Sequence, residues 1–328
     1  MKKVAFFDTK PYDNVWFDKL KGEFDIDFKY YESKLTPDTA VLAKNFEGVV
    51  AFVNDEINSE TINILADNGV KFIAMRCAGY NNVDLKSAKG KIKVYRVPRY
   101  SPYAVSEHAM GMLMCLNRKI HKAFIRTKDF NFSLSGLTGF DLHGKTVGII
   151  GTGKIGQVFA DICKGYKMKI LAYDVIKSIE DVLYTDLNTL FESSDIISLH
   201  CPLTRDTYHM INKKTINMMK DGVYILNTSR GALIDTSDLL DGLKSQKIGG
   251  AALDVYEEES DIFFEDRSDE YFHDDKLRLL LSMPNVLITS HQAFLTNEAL
   301  QNIALVTLNN INDFFNSQQN DNEIVYKN

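Results

Sequence analysis

Short apolar runs alternate along the chain with polar stretches of helical period. VAFFD (Val4 to Asp8), GVVAFV (Gly48 to Val53) and KFIAMRC (Lys71 to Cys77) are apolar without interruption through their centres. That is the pattern of strands covered on both faces of a parallel sheet. IDFKYY (Ile26 to Tyr31) alternates, and IKVYRV (Ile92 to Val97) repeats the theme. Between them NSETINILADNG (Asn58 to Gly69) sets Ile62, Leu65 and Ala66 at helical spacing and stops at Gly69. Strand–helix alternation predicts a parallel sheet with right-handed crossovers.

The pattern breaks at VPRYSPY (Val97 to Tyr103), where prolines flank a polar stretch. The next run, Ala104 to Ile120, is helical in period but apolar on more than one face, which predicts burial and offers a subunit contact. A second alternating block follows. TVGIIG, KILAYD, DIISLH, GVYILNT, IGGAALD and NVLITSH read as six successive strands with helices between them. A last helix is predicted from Asn297 to Phe315, ahead of a polar tail. The expected fold class is therefore α/β, with two doubly wound parallel sheets.

Composition narrows the function. At ~150 residues per domain, 328 residues make roughly two domains. A net charge of −6 lacks the basic field that nucleic acid or an anionic membrane would favour, so neither is expected as a partner. Cys77, Cys115, Cys163 and Cys201 are widely spaced, without zinc or dithiol spacing, and read as reduced thiols. No metal site is expected. The apolar stretch Val4 to Phe7 is too short for a signal-peptide core, and nothing approaches the ~18 apolar residues of a membrane helix. The expected location is the cytoplasm.

The second block holds the most specific local signal. Strand TVGIIG runs into Gly151-Thr152-Gly153-Lys154-Ile155-Gly156 and then a helix, and the following strand ends in Asp174. The spacing from Gly156 to Asp174, about 18 residues, is close to that of a dinucleotide site. Gly151 permits the tight turn, Gly153 the approach of a pyrophosphate, and Gly156 the packing of helix on strand. Asp174 would accept the adenine-ribose hydroxyls and repel a 2′-phosphate, so NAD is expected over NADP, with Lys177 near enough to soften the repulsion.

Candidate chemistry lies at the strand ends, where open α/β sheets bind ligands. Arg230, after GVYILNT and beside a glycine, suits capture of a carboxylate or a surface ion pair. His291, after NVLITS, suits an acid or base, with His200 its competitor. One of Glu257, Glu258 and Glu259 could pair with His291, and Asp254 could also lie near it. Arg76 to Asn82 ends a strand with small residues and offers a backbone nest for an anion, or a plain turn.

Taken together, RCAGYNNVDL, VGIIGTGKIG, ISLHCPLT, ILNTSRGALID, DVYEEE and HQAFLTNEAL resemble the D-isomer-specific 2-hydroxyacid dehydrogenases. NFSLSGLTGF, IFFED and HQAFLT are most similar to the branch that makes D-lactate in bacterial fermentation. The resemblance implies two Rossmann- or flavodoxin-like domains with the active site in a cleft between them. Residues 1–100 with 298–328 would form the substrate domain and 101–297 the NAD domain. It further implies NADH-dependent reduction of pyruvate, or of a larger 2-ketoacid, by a homo-oligomer, dimer or tetramer. A non-catalytic NAD-sensing module is the reading from another class.

Carried over position by position, the resemblance makes His291 the proton donor, Glu259 its carboxylate partner and Arg230 the clamp on the substrate carboxylate. Ala78 and Gly79 would complete the carboxylate site, Tyr100 would lie nearby, and Phe52 and Phe294 would wall the side-chain pocket. The cofactor positions would be Gly151, Gly153, Lys154, Ile155, Gly156, Asp174, Cys201, Pro202, Thr207, Thr228, Ser229, Arg230 and Asp254. His200 would fall outside the catalytic set, and Cys201 would pack rather than react. Arg99 is read as a solvent-facing charge, with an anionic effector as the alternative. Asp261 to Asp275 is expected to be a surface loop anchored by a phenylalanine pair.

Overall fold

The structure is a computed structural model and describes residues 1–326. The chain divides into two compact units, Met1–Ser101 with Phe294–Asn328, and Pro102–Ala293.

The first unit is a five-stranded, all-parallel sheet. Its strands are β1 (Lys2–Phe6), β2 (Ile26–Tyr30), β3 (Gly48–Ala51), β4 (Phe72–Met75) and β5 (Lys93–Tyr95), in the order β2-β1-β3-β4-β5. Every residue of β3 and β4 is buried, as their unbroken apolar runs predict. Helices α1 (Pro11–Leu20), α2 (Ser59–Asp67) and α3 (Leu85–Ala88) complete the crossovers. Asn58 caps α2 by accepting from Thr61 N, and Gly69 beyond it takes φ +87°, open to glycine without strain. Alternation along β1 and the residue that follows it sorts side chains between two cores. Ala5 and Phe7 join Ile62 and Leu65 of α2, whereas Val4 and Phe6 join Phe17, Ala304, Leu308 and Ile311. The latter face is closed by the C-terminal helix, Asn297–Phe315, so the chain returns to its first unit to bury that apolar layer.

The second unit is built on a seven-stranded parallel sheet. Helices α4 (Pro102–Arg118) and α5 (Ile120–Lys128) lead into β6 (Thr146–Ile150), α6 (Lys154–Gly165), β7 (Lys169–Tyr173), β8 (Leu183–Tyr184), α7 (Leu187–Ser193) and β9 (Ile196–Leu199). Then come α8 (Lys213–Met218), β10 (Val223–Asn227), α9 (Thr236–Lys244), β11 (Ile248–Leu253), α10 (Asp275–Ser282) and β12 (Val286–Ile288). The strand order β12-β11-β10-β9-β6-β7-β8 reverses direction between β6 and β9. That reversal is the switch point at which doubly wound sheets bind dinucleotides. The wide apolar face of α4 is accounted for: Ala109, Met110, Met112, Leu113 and Leu116 pack with Val147 and Ile149 of β6 and Phe159 of α6. The helical run breaks at Lys119, which takes φ +50°. The short strand β8 has no counterpart in the expected elements. Its two residues are too few to set a period. In the 261–275 loop Phe263 is buried in the core and Phe264 packs against it, so the expected pair anchors the segment. Among the described residues no helix is long and apolar enough to cross a membrane.

Candidate active site

The glycine loop connects β6 to α6 in the second unit. Gly151 takes φ +98°, and a Cβ there would stand 2.5 Å from the His200 carbonyl. A Cβ on Gly156 would meet the Gly151 carbonyl oxygen at 2.1 Å. Both positions are closed to any side chain. Gly153 differs: nothing stands within 4 Å of the Cβ it lacks, and no side chain caps the α6 N-terminus that begins there. The uncapped N–H groups and the helix dipole suit an anionic ligand. Lys154 and Ile155 form the first turn of α6, where the Ile155 carbonyl accepts Ser106 Oγ at 2.8 Å. Asp174, at the end of β7, accepts the Thr152 N–H at 2.6 Å and the Ile176 N–H at 3.1 Å. Its carboxylate is thereby locked against the loop.

The neighbouring strand end carries Cys201, Pro202 and Thr207. Burial pushes the Cys201 thiol up to about 11, which leaves it a packing group. The Thr207 hydroxyl donates to the Pro202 carbonyl at 2.7 Å. Past β10, Ser229 Oγ donates to the Leu199 carbonyl at 3.0 Å, while the Thr228 hydroxyl is buried without a partner among the described residues. An orphaned buried hydroxyl, an open Gly153 and an uncapped helix are what a phosphate-bearing dinucleotide needs, so these residues fit NAD. His200 is half-buried, and the burial of its ring drives the imidazole down to about 3. It is neutral at physiological pH and is no competitor as acid.

Three strand ends supply the charged groups. Arg230 is half-buried after β10 and donates to the Ser229 carbonyl at 2.6 Å. Beyond β11, Glu259 Oε1 stands 2.8 Å from His291 Nδ1, and its Oε2 accepts the Tyr256 N–H at 2.8 Å. His291 follows β12 at φ +52°, a left-handed conformation held by its N–H donating to the Asp254 carbonyl at 2.7 Å. The Asp254 carboxylate accepts the Gln292 and Ala293 N–H groups, both at 2.9 Å, and the Thr289 hydroxyl at 2.5 Å. Burial pushes that carboxyl up, but hydrogen bonds from His108, Thr289 and Ala293 outweigh it and hold it below the ordinary carboxylate range. Of the three adjacent glutamates, Glu259 meets His291, Glu258 is exposed, and Glu257 turns to His209.

Residues 110–293 match the family model of the D-isomer specific 2-hydroxyacid dehydrogenase NAD binding domain. Over 328 residues the chain is 49% identical to D-lactate dehydrogenase of Escherichia coli, covering 98% of this chain and 100% of that one. The chain belongs to the D-isomer-specific 2-hydroxyacid dehydrogenase family. Solved structures agree. The apo D-lactate dehydrogenase of Escherichia coli matches with TM-score 0.91 at 47% identity, over 98% of this chain and 100% of that one. The pyruvate reductase of Chlamydomonas reinhardtii matches with TM-score 0.94 at 42% identity, over 98% of each.

The first unit of this dehydrogenase holds the remaining candidates. Phe52 and Phe294 are both buried, with ring centroids 6.5 Å apart, and Tyr100 meets Phe294 at 6.4 Å. Ala78 and Gly79 follow β4, and their N–H groups donate to no protein acceptor among the described residues. Arg99 is exposed. Arg76, which opens the nest segment, is not available to an anion. It is buried with Asp13 at 3.3 Å, and its guanidinium lies 3.8 Å from the centre of the Phe52 ring. Sequence reasoning passed over this pair, and over His108 and His209. His108 stands 3.3 Å from Asp254, and His209 2.5 Å from Glu257. No spacing in the sequence joins such partners, since their elements meet only in the folded sheet.

Proposed function

We propose that this dehydrogenase reduces pyruvate to D-lactate with NADH, with His291, Glu259 and Arg230 as its catalytic residues. The observation that carries the reading is the 2.8 Å contact of His291 Nδ1 with Glu259 Oε1, at the strand ends of the NAD-binding unit. NADH, when bound, supplies the hydride. Gly153 and the α6 N-terminus would hold its phosphates, Asp174 its adenine ribose, and Thr228 would supply a further hydroxyl. The Glu259 bond fixes the imidazole tautomer and leaves Nε2 to carry the proton. That proton goes to the ketone oxygen as the carbonyl carbon takes the hydride, giving a neutral alcohol. Arg230 binds the substrate carboxylate through two N–H groups and polarises the carbonyl beside it. Lactate oxidation runs the same transfers backwards, with a neutral His291 accepting the proton.

The substrate pocket in this reading comprises Phe52, Phe294, Tyr100 and the Ala78 and Gly79 N–H groups. Two buried phenylalanine rings leave room for a small side chain, which favours the methyl of pyruvate. The relatives named for D-lactate and for pyruvate reduction support the same substrate. We also infer a homo-oligomer working in the cytoplasm. Phe130, Phe132 and Leu134 are 84%, 71% and 81% exposed beside Phe124 and Ile125 of α5, an apolar surface that a second copy would cover. The four cysteines are free thiols, as a reducing compartment keeps them.

The test is loss of NADH absorbance with pyruvate, 2-ketobutyrate, 2-ketoisocaproate, phenylpyruvate and hydroxypyruvate, with chiral analysis of each product. Preference for pyruvate and a D product supports the proposal. Preference for a larger acid replaces the substrate and keeps the chemistry. NADH binding without any turnover would make the protein a sensor and defeat the proposal.

A further inference from the structure

We infer that His209 and Glu257 are positioning residues, whose contact holds Glu259 against His291. The inference rests on the catalytic roles proposed above. His209 Nε2 lies 2.5 Å from Glu257 Oε1 and its Nδ1 lies 3.4 Å from Asp235 Oδ2, so one imidazole links two acidic residues from different elements. Asp235 is the N-cap of α9 and spends its other oxygen on the Ser237 and Asp238 N–H groups. Glu257 Oε2 accepts the hydroxyl of Thr236, the first residue of that helix, at 2.9 Å. The turn after β11 is therefore fastened to the rigid start of a helix on one side and to His209 on the other.

Backbone contacts carry this fastening to the catalytic acid. The Tyr256 N–H that orients Glu259 belongs to the residue immediately before Glu257. Gly231, next to Arg230, is pressed so closely on this turn that a Cβ would stand 2.0 Å from the Tyr256 carbonyl carbon. His209 itself takes φ +48°, donates its N–H to the Ala232 carbonyl at 2.9 Å and accepts Asn212 Nδ2 at 2.7 Å. A left-handed histidine persists only where its surroundings fix it. Three segments, 207–212, 230–236 and 256–259, thus meet at one imidazole–carboxylate contact. Glu257 takes no part in the proton transfer, because both its oxygens are engaged away from His291. What it supplies is rigidity for a carboxylate two residues on. Misplacing a catalytic group by about 1 Å costs on the order of a hundredfold in rate.

A double-mutant cycle tests this, with kcat and KM for pyruvate and Kd for NADH read by fluorescence. His209→Asn tolerates the left-handed backbone but is too short to reach Glu257, so it probes the contact without forcing the fold. It should lower kcat by about tenfold or more while NADH affinity stays within about twofold. Glu257→Ala should do the same, and Glu257→Gln, which still accepts from His209, should keep most of the rate. Exposed Glu258→Gln should change nothing. In a Glu259→Ala background the loss from His209→Asn should disappear, because the brace then has no side chain to hold. Equal losses in both backgrounds, or an unchanged kcat in His209→Asn, would overturn the inference alone. A wild-type protein inert towards every 2-ketoacid would overturn it together with the proposed function.

Discussion

His291, the proposed proton donor, is placed by one backbone angle. At φ +52° its ring is turned toward Glu259, and the Asp254 carbonyl and carboxylate secure the turn that makes the angle possible. In the proposed reaction His291 gives a proton during reduction and takes one during oxidation. One titration belongs to stability. Asp55 is buried and accepts the Leu35 and Phe52 N–H groups at 2.7 and 2.6 Å, and burial raises its carboxyl from 3.8 to about 7. Between those values the folded chain holds a proton that the unfolded chain has released. The contribution of Asp55 is complete below about pH 4 and lost as pH rises through about 7. Asp55→Asn should flatten that part of the Tm-against-pH curve. A slope unchanged in the variant would assign it to other groups.

At the scale of elements, the turn from β6 to α6 is a tight constraint. Gly156→Ala drives a methyl into the Gly151 carbonyl oxygen, whereas Gly165, in the last turn of the same helix, has nothing within 4 Å. Gly156→Ala should cost about 1–3 kcal/mol of stability and weaken NADH binding at least about tenfold. Gly165→Ala should stabilise slightly or not at all, by about 0.5–1 kcal/mol at most. Thermal melts and NADH titration of the two variants would check this. The glycine turn was legible in the sequence because its parts are local: strand, glycines, helix and acid follow in order. The same holds for the buried strands β3 and β4 and for the C-terminal helix, whose spans come directly from hydrophobic period. Other features were not legible for the opposite reason. The Lys119 break in the α4–α5 run turns on a single left-handed residue. The Arg76 ion cluster, the His108–Asp254 pair and the His209–Glu257 contact join residues far apart in the chain. Only the sheet order brings them together. Family resemblance singled out Glu259 from three adjacent glutamates, because composition alone does not distinguish them.

For the whole molecule, two consequences follow from what lies on the surface and from what returns to the core. The exposed Phe130, Phe132 and Leu134 are the apolar surface on which the proposed association rests. Light scattering should find a dimer or larger assembly, and Phe130→Glu with Phe132→Glu should shift it toward monomer. A wild-type monomer at micromolar concentration would contradict the proposed association. The C-terminal helix buries Ala304, Leu308 and Ile311 on the first sheet, so the sheet that carries the proposed substrate residues rests on a segment from the far end of the chain. Leu308→Ala should cost about 2–5 kcal/mol, read as a lower Tm. In the proposed function His291 carries the proton for a hydride transfer. The most direct measurement is pyruvate turnover by His291→Gln beside its NADH affinity. The expected result is a kcat lower by about a thousandfold with the Kd for NADH within about twofold of wild type. Turnover within a few-fold of wild type would contradict it.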